Sequence, residues 1–307
     1  MFDTLPAVPV ASIALDFDPL VRLGDTTVKL ETLGIAVAAL VGLLLAGWLA
    51  TRTPAATAPG GQPPHDPRDA HLRLDDMIFI VLAVLPGAVI GGRLGYALIH
   101  LDFYRSHLAA IIDPGQGSLE LMLAVVGGVL TGAYACYLLG ESPGRWLHVS
   151  TVPTFAAITL GKIAQALGGD GQGQPADFAW ATRYVGDGPW GSLAPGVPSH
   201  PAQLYEAAVT FLILVLMARL LGGATFQRRD GRSFVFAFAI WALARGAVAS
   251  IWRDERALGL LNAEQGLCLI VAALSILLLI ALTARARRLG RTEADRVWPD
   301  PQVRPQF

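Results

Sequence analysis

The sequence predicts an all-α integral membrane protein with seven transmembrane helices, an outside N-terminus, a cytoplasmic C-terminus and a small outer β-hairpin near the start. Three observations predict it. First, 53% of the 307 residues are hydrophobic and only 15% charged, with a mean hydropathy of +0.51, whereas soluble domains carry about 25% charge. Second, seven apolar stretches approach the roughly 20 residues needed to cross a bilayer core of about 30 Å: 33–50, 77–99, 119–140, 149–168, 202–222, 233–252 and 266–284. Third, the connecting segments divide their Arg and Lys unevenly. Arg52, Arg68, Arg73, Arg145, Arg228, Arg229, Arg232 and the tail residues Arg285, Arg287, Arg288, Arg291, Arg296 and Arg304 fall on one side. Arg22, Lys29, Arg105, Arg183, Arg253 and Arg256 fall on the other. The side richer in Arg and Lys is the cytoplasmic one.

In chain order, residues 1–32 form an outer segment. Within it, 12–32 alternate apolar and polar residues around Gly24-Asp25, as in Val28-Lys29-Leu30-Glu31, which is a hairpin pattern. The first thirty residues lack a basic region followed by an apolar core, so no cleavable signal peptide is predicted. Residues 33–284 form the membrane domain. A linker over about 51–72 is rich in Pro, Ala and Gly and reads as flexible. Residues 169–201 form an outer loop whose Trp180, Tyr184 and Trp190 suit a membrane–water interface. Residues 285–307 form a cytoplasmic tail, disordered from about Arg291. Cys136 and Cys268, the two cysteines, both lie in apolar stretches and read as small core residues. Neither a disulfide framework nor a metal site is expected, and no cofactor. A net charge of −1 with no basic run argues against a nucleic-acid partner. The absence of an internal repeat leaves an inverted-repeat transporter without support.

The polar residues inside the spans carry the functional information, because an ionised side chain near the bilayer centre costs several kcal/mol. With 1.5 Å of rise per residue, Arg93, Lys162, Gln165 and Arg245 fall near the outer ends of outward-running spans, with Trp241 one turn below Arg245. His200, Gln203, Tyr205 and Glu206 open the inward-running fifth span, Asp170 follows the fourth, and Gln265 opens the seventh. Five helices therefore place polar groups at one level, in the outer leaflet. Three cations at that depth call for an anion, and a lipid phosphate is the one available. Lys162 stands out further, since Lys29 is the only other lysine in the chain.

Each residue also has a plainer reading. A single Arg93 can snorkel to the interface, and Glu206 near a helix N-terminus is favoured by the helix dipole. Gln165 can bond a neighbouring helix, and the Gly87/Gly91 and Gly128/Gly132 spacings are close-packing surfaces. The coincidence of depth favours a polar cavity over the sum of these.

Several segments resemble, in order, those of bacterial prolipoprotein diacylglyceryl transferases. They are Gly91-Gly92-Arg93-Leu94-Gly95-Tyr96, Val125-Val126-Gly127-Gly128, Gly161-Lys162-Ile163-Ala164-Gln165 with Gly168-Gly169-Asp170-Gly171, and His200-Pro201-Ala202-Gln203-Leu204-Tyr205-Glu206. Trp241 to Arg245 and Glu264-Gln265-Gly266 continue the series. The resemblance spans about residues 20–284 and implies a seven-helix enzyme of the bacterial plasma membrane. Its implied substrates are phosphatidylglycerol and the lipobox cysteine of a prolipoprotein signal peptide. It implies catalytic roles for Arg245, Lys162, His200 and Glu206. Substrate binding falls to Arg93, Gln165, Asp170, Gln203, Tyr205, Trp241 and Gln265. The chain departs from the family pattern at several points. Val126 stands where the family has His, and Lys162 where it has Arg. Ala164 and Gln165 replace Gly and Asn, and Asp170 replaces Glu. The family's first-span Tyr falls on Glu31 or Thr32. Ala249 replaces a Glu one turn after Arg245, and the Arg that follows is displaced to Arg253. A catalytically inactive relative that binds phospholipid or lipoprotein in an outer-leaflet cleft is the alternative these departures open.

Overall fold

The apolar stretches form helices because backbone N–H and C=O groups in hydrocarbon must be satisfied within the segment. In the computed structural model, which describes residues 12–54, 71–113, 115, 117–223 and 225–288, seven long helices and one short one follow a few strands. The order is β1 (Ile13–Leu15), β2 (Leu20–Leu23), β3 (Thr26–Lys29), α1 (Leu30–Ala50), α2 (Leu74–Ile99), α3 (Leu101–Tyr104), α4 (Leu121–Leu138) and α5 (Pro143–Gly168). Then come β4 (Thr182–Tyr184), α6 (Ala202–Leu221), α7 (Arg232–Val248), β5 (Arg256–Leu258), β6 (Leu261–Asn262) and α8 (Ala263–Arg288).

Among the described residues, six segments are long and apolar enough to cross a membrane: α1, α2, α4, α6, Arg232–Ile251 and Ala263–Arg287. The protein is a multi-pass membrane protein. α5 is as long as any of them, at 26 residues, but carries Arg145, His148, Thr151, Thr159, Lys162 and Gln165. Its polarity has a structural reason, because α5 packs against α1, α4, α6 and α7 and buries Arg145, Thr151, Thr159 and Lys162. The other limits shift by a few residues. α8 continues to Arg288, four residues into the segment read as tail. Most of the predicted linker and the rest of the tail lie outside the described residues.

Glycines set how closely the helices approach. A Cβ on Gly87 would lie 2.5 Å from the Gly127 carbonyl oxygen, and one on Gly91 would meet the Leu123 carbonyl. α2 and α4 therefore touch backbone to backbone, as small-residue spacing predicts. α1 lies on α5 in the same manner, with Gly34 against Ala164 and Gly42 against Ala157. α7 is the buried centre. Its Phe234, Phe238 and Trp241 pack with Phe155 of α5, Met122 of α4 and Met217 of α6.

All six strands sit at one end of the bundle, where α1, α4, α6 and α8 begin and α2, α5 and α7 finish. β2 and β3 pair antiparallel around Gly24, with Leu20 opposite Lys29 and Leu23 opposite Thr26. Residues 13–15 leave that ribbon. β1 instead pairs in parallel with β4, Ile13 opposite Thr182, and ties the N-terminal segment to the 169–201 loop. Trp190 is also no free interface anchor: it packs on Phe17 and Tyr184 and donates to the Gly186 carbonyl at 2.8 Å. Trp180 is more than half exposed and donates to the Tyr205 hydroxyl at 2.9 Å.

Candidate active site

At the strand-bearing end the helices bring five charged side chains together. Arg245, near the end of α7, donates through Nε to Glu264 Oε1 at 2.8 Å and through Nη1 to Glu206 Oε1, and its Nη2 lies 3.6 Å from Glu120 Oε1. Lys162 Nζ holds the other oxygen of Glu206 at 2.7 Å. None of the five is more than 8% exposed. The guanidinium also faces the rings of Trp252 at 4.8 Å and Trp241 at 5.7 Å.

The signs follow the helix ends. Glu120 caps α4, accepting from the Met122 and Leu123 N–H groups at 2.5 and 2.6 Å. Glu206 and Glu264 lie near the starts of α6 and α8, and Lys162 and Arg245 near the ends of α5 and α7. Helix dipoles favour anions at the first kind of end and cations at the second. Three carboxylates face two cations, so the cluster carries one surplus negative charge when all are ionised.

An apolar cavity of about 450 Å³ lies below the cluster, between α1, α2, α4 and α5. Gly42, Val84, Leu121, Val125, Trp146 and Ile158 are among its walls. From Trp146 to Ile158 it follows α5 for roughly 18 Å at 1.5 Å per residue. It stops one helical turn before Lys162, and Leu121 directly follows Glu120.

The predicted site residues divide in two. Lys162, Glu206 and Arg245 meet, with Trp241 beneath them donating to Thr210 Oγ1 at 3.1 Å. Arg93 does not join them. It donates to the carbonyls of Ala110, Ile111 and Asp113 at 2.5–2.9 Å and to Ser118 at 3.3 Å, and so holds the chain between α3 and α4. The expected convergence of three cations is therefore one of two, because the loop carbonyls lie within reach of Arg93 and take its donors. Gln265 forms a reciprocal cap with Asn262 at the start of α8. Asp170 hydrogen-bonds Glu31 of α1 and packs on Gly191. His200 sits between Phe178 and Tyr205 with its Nδ1 buried and without a partner among the described residues.

Gln203 donates through Nε2 to the Tyr184 hydroxyl, and that hydroxyl donates to the Ala166 carbonyl, both at 2.9 Å. Burial pushes the Tyr184 phenol up to about 12, so it keeps its proton.

Residues 19–281 match the prolipoprotein diacylglyceryl transferase family. The chain belongs to that family. It is 30% identical to the phosphatidylglycerol–prolipoprotein diacylglyceryl transferase of Allorhizobium ampelinum, over 95% of this chain and 96% of that one. The same identity, over 80% of each chain, relates it to the like-named protein of Nitrobacter hamburgensis. The protein of that name from Rhodospirillum centenum is 32% identical over 64% of this chain and 66% of its own.

Two charged residues of the cluster, Glu120 and Glu264, were given no site role from the sequence, although Glu264 stands in the Glu264-Gln265-Gly266 segment. Glu120 was hidden at the edge of an apolar stretch, and Glu264 stood beside the more conspicuous Gln265. Reading the sign of each charge against the end of its helix was the signal that could have found both. Val126 packs among the apolar residues around Met122 and Phe155.

Proposed function

We propose that the protein transfers the diacylglyceryl group of phosphatidylglycerol to the lipobox cysteine thiol of a prolipoprotein. The observation that carries this reading is the Lys162–Arg245 cluster standing at the end of an apolar cavity. A lipid has the matching shape, with acyl chains for the cavity and a phosphate for the cations. In the reaction a C–S bond forms at the glycerol carbon, its bond to the phosphate oxygen breaks, and glycerol phosphate leaves. Lys162 and Arg245 stabilise the charge gathering on the departing phosphate. The thiol proton passes to the surplus carboxylate of the cluster, the role that His cannot fill at Val126; His200 is the other candidate acceptor. Glu206 positions both cations. Gln165, Asp170, Gln203 and Tyr205 surround the headgroup, Trp241 and Gln265 support Arg245 and α8, and Arg93 contributes by fixing the loop before α4.

The surplus of Arg and Lys at the opposite end of the bundle supports an outside N-terminus, the 26-residue length of α5 supports counting it as a seventh crossing, and the family supports a bacterial plasma membrane. The hairpin and the 169–201 loop then lie outside, above a membrane domain of about 33–284, with the tail from 285 in the cytoplasm. A reporter fused after residue 291 is expected to label as cytoplasmic and one within 169–201 as external. The reversed pattern would place the charged cluster in the wrong leaflet.

The function is tested by incubating the purified full chain with phosphatidylglycerol and a reporter prolipoprotein. The expected product carries a thioether-linked diacylglyceryl group by mass spectrometry. Lipid binding without that mass gain would favour the inactive lipid-binding relative.

A further inference from the structure

The cluster is bordered on its strand side by acceptors that have nothing to accept. Lys162 and Gln165 are three residues apart on α5, and Gln203 and Glu206 are three apart on α6, so each pair shares a helix face. The Lys162–Glu206 ion pair joins the two faces. One turn further toward the strands, Gln165 Oε1 and Gln203 Oε1 are both buried and without a hydrogen-bond partner among the described residues. Gln203 is 2% exposed.

The orientation of Gln203 follows from its neighbours. The Tyr184 hydroxyl has one proton and gives it to the Ala166 carbonyl, so it can only accept from Gln203. The amide must turn Nε2 to the tyrosine and leave Oε1 free. Space exists nearby: a Cβ on Gly161, one turn before Gln165, would meet nothing within 4 Å. Lys162 has one ion-pair partner among the described residues and three donors. A buried acceptor without a donor is costly to leave unmade, and two of them beside an ammonium ask for a ligand that carries both hydroxyls and a phosphate.

We infer that Gln165 and Gln203 accept hydrogen bonds from the hydroxyls of the lipid's headgroup glycerol, and so select a phosphodiester bearing a polyol over other anionic lipids. The inference rests on the proposed function for the lipid's identity but not for its own test. The apolar cavity, which reaches along α5 to one turn below Lys162, favours a lipid over free glycerol phosphate as the ligand.

The test compares phosphatidylglycerol with phosphatidylmethanol, which keeps the charge and tails but has no hydroxyl, for binding and for transfer by the full chain in mixed micelles. The native chain is expected to bind phosphatidylglycerol at least about tenfold more tightly, one hydrogen bond being worth about that factor. Gln165→Met and Gln203→Met should each shrink the ratio, and the double variant should bring it close to one by weakening phosphatidylglycerol alone. Tyr184→Phe frees the Gln203 amide to rotate but leaves its oxygen and Gln165 in place, so it should shrink the ratio less than the double glutamine variant does. Glycerol 1-phosphate and methyl phosphate in water should show the same ratio at weaker affinity. If free glycerol phosphate is selected but the lipid is not, the lipid assignment fails.

The inference is overturned if the native ratio is near one, or if the double variant leaves it unchanged. Discrimination in binding without any transfer would uphold it while sinking the transferase reading, and transfer without discrimination would do the reverse.

Discussion

Arg245→Met is expected to abolish transfer and to destabilise the protein by about 3–5 kcal/mol, the usual cost of removing one partner from a buried ionic network. The side chain is the common counter-ion of Glu120, Glu206 and Glu264. Without it, Lys162 faces three buried carboxylates alone. Thermal unfolding in lipid nanodiscs measures the stability loss, and thioether formation on a reporter prolipoprotein measures the activity. Adding Glu264→Gln to Arg245→Met should recover part of the stability, since one unpaired charge is gone, and none of the activity. Native-like unfolding of Arg245→Met alone would mean that the carboxylates do not need the guanidinium.

Lys162→Met separates chemistry from folding. Glu206 keeps its bond to Arg245 in this variant, so the stability loss should be smaller than for Arg245→Met. The phosphate, however, loses a charge-assisted hydrogen bond of about 1.5–3 kcal/mol, so kcat/KM should fall roughly 10- to 150-fold. Lys162→Arg should keep or raise activity, because the planar fork holds both Glu206 and a phosphate oxygen in fixed directions. Combining it with Val126→His should raise the rate further only where proton transfer limits it. Full activity in Lys162→Met would remove Lys162 from the phosphate site and leave Arg245 to hold it alone.

Both variants depend on an arrangement that was partly legible in the linear chain. Lys162, Glu206 and Arg245 could be grouped from depth alone, because helix rise converts residue number into height. Height does not give azimuth. Arg93 has the same depth as the others, yet α2 turns it toward the carbonyls of residues 110–118. Glu120 lies outside the helical part of its segment, so periodicity could not assign it a face. Its capping bonds are fixed by α4 beginning at Leu121.

The sequence by itself determined that this chain is a multi-pass membrane protein, which stretches become helices, and which family it resembles. These properties depend on composition, run length and local motifs, and none requires knowing which helix neighbours which. The tertiary structure decided that two cations rather than three meet in the buried cluster, that three carboxylates face them, and that β1 joins β4 instead of the adjacent hairpin. The cluster forms where α5, α6, α7 and α8 pack on one another, while glycines set how closely α2 meets α4 and α1 meets α5. How far two helices rotate before their backbones touch sets which side chains face each other, and that rotation is a property of the packed bundle.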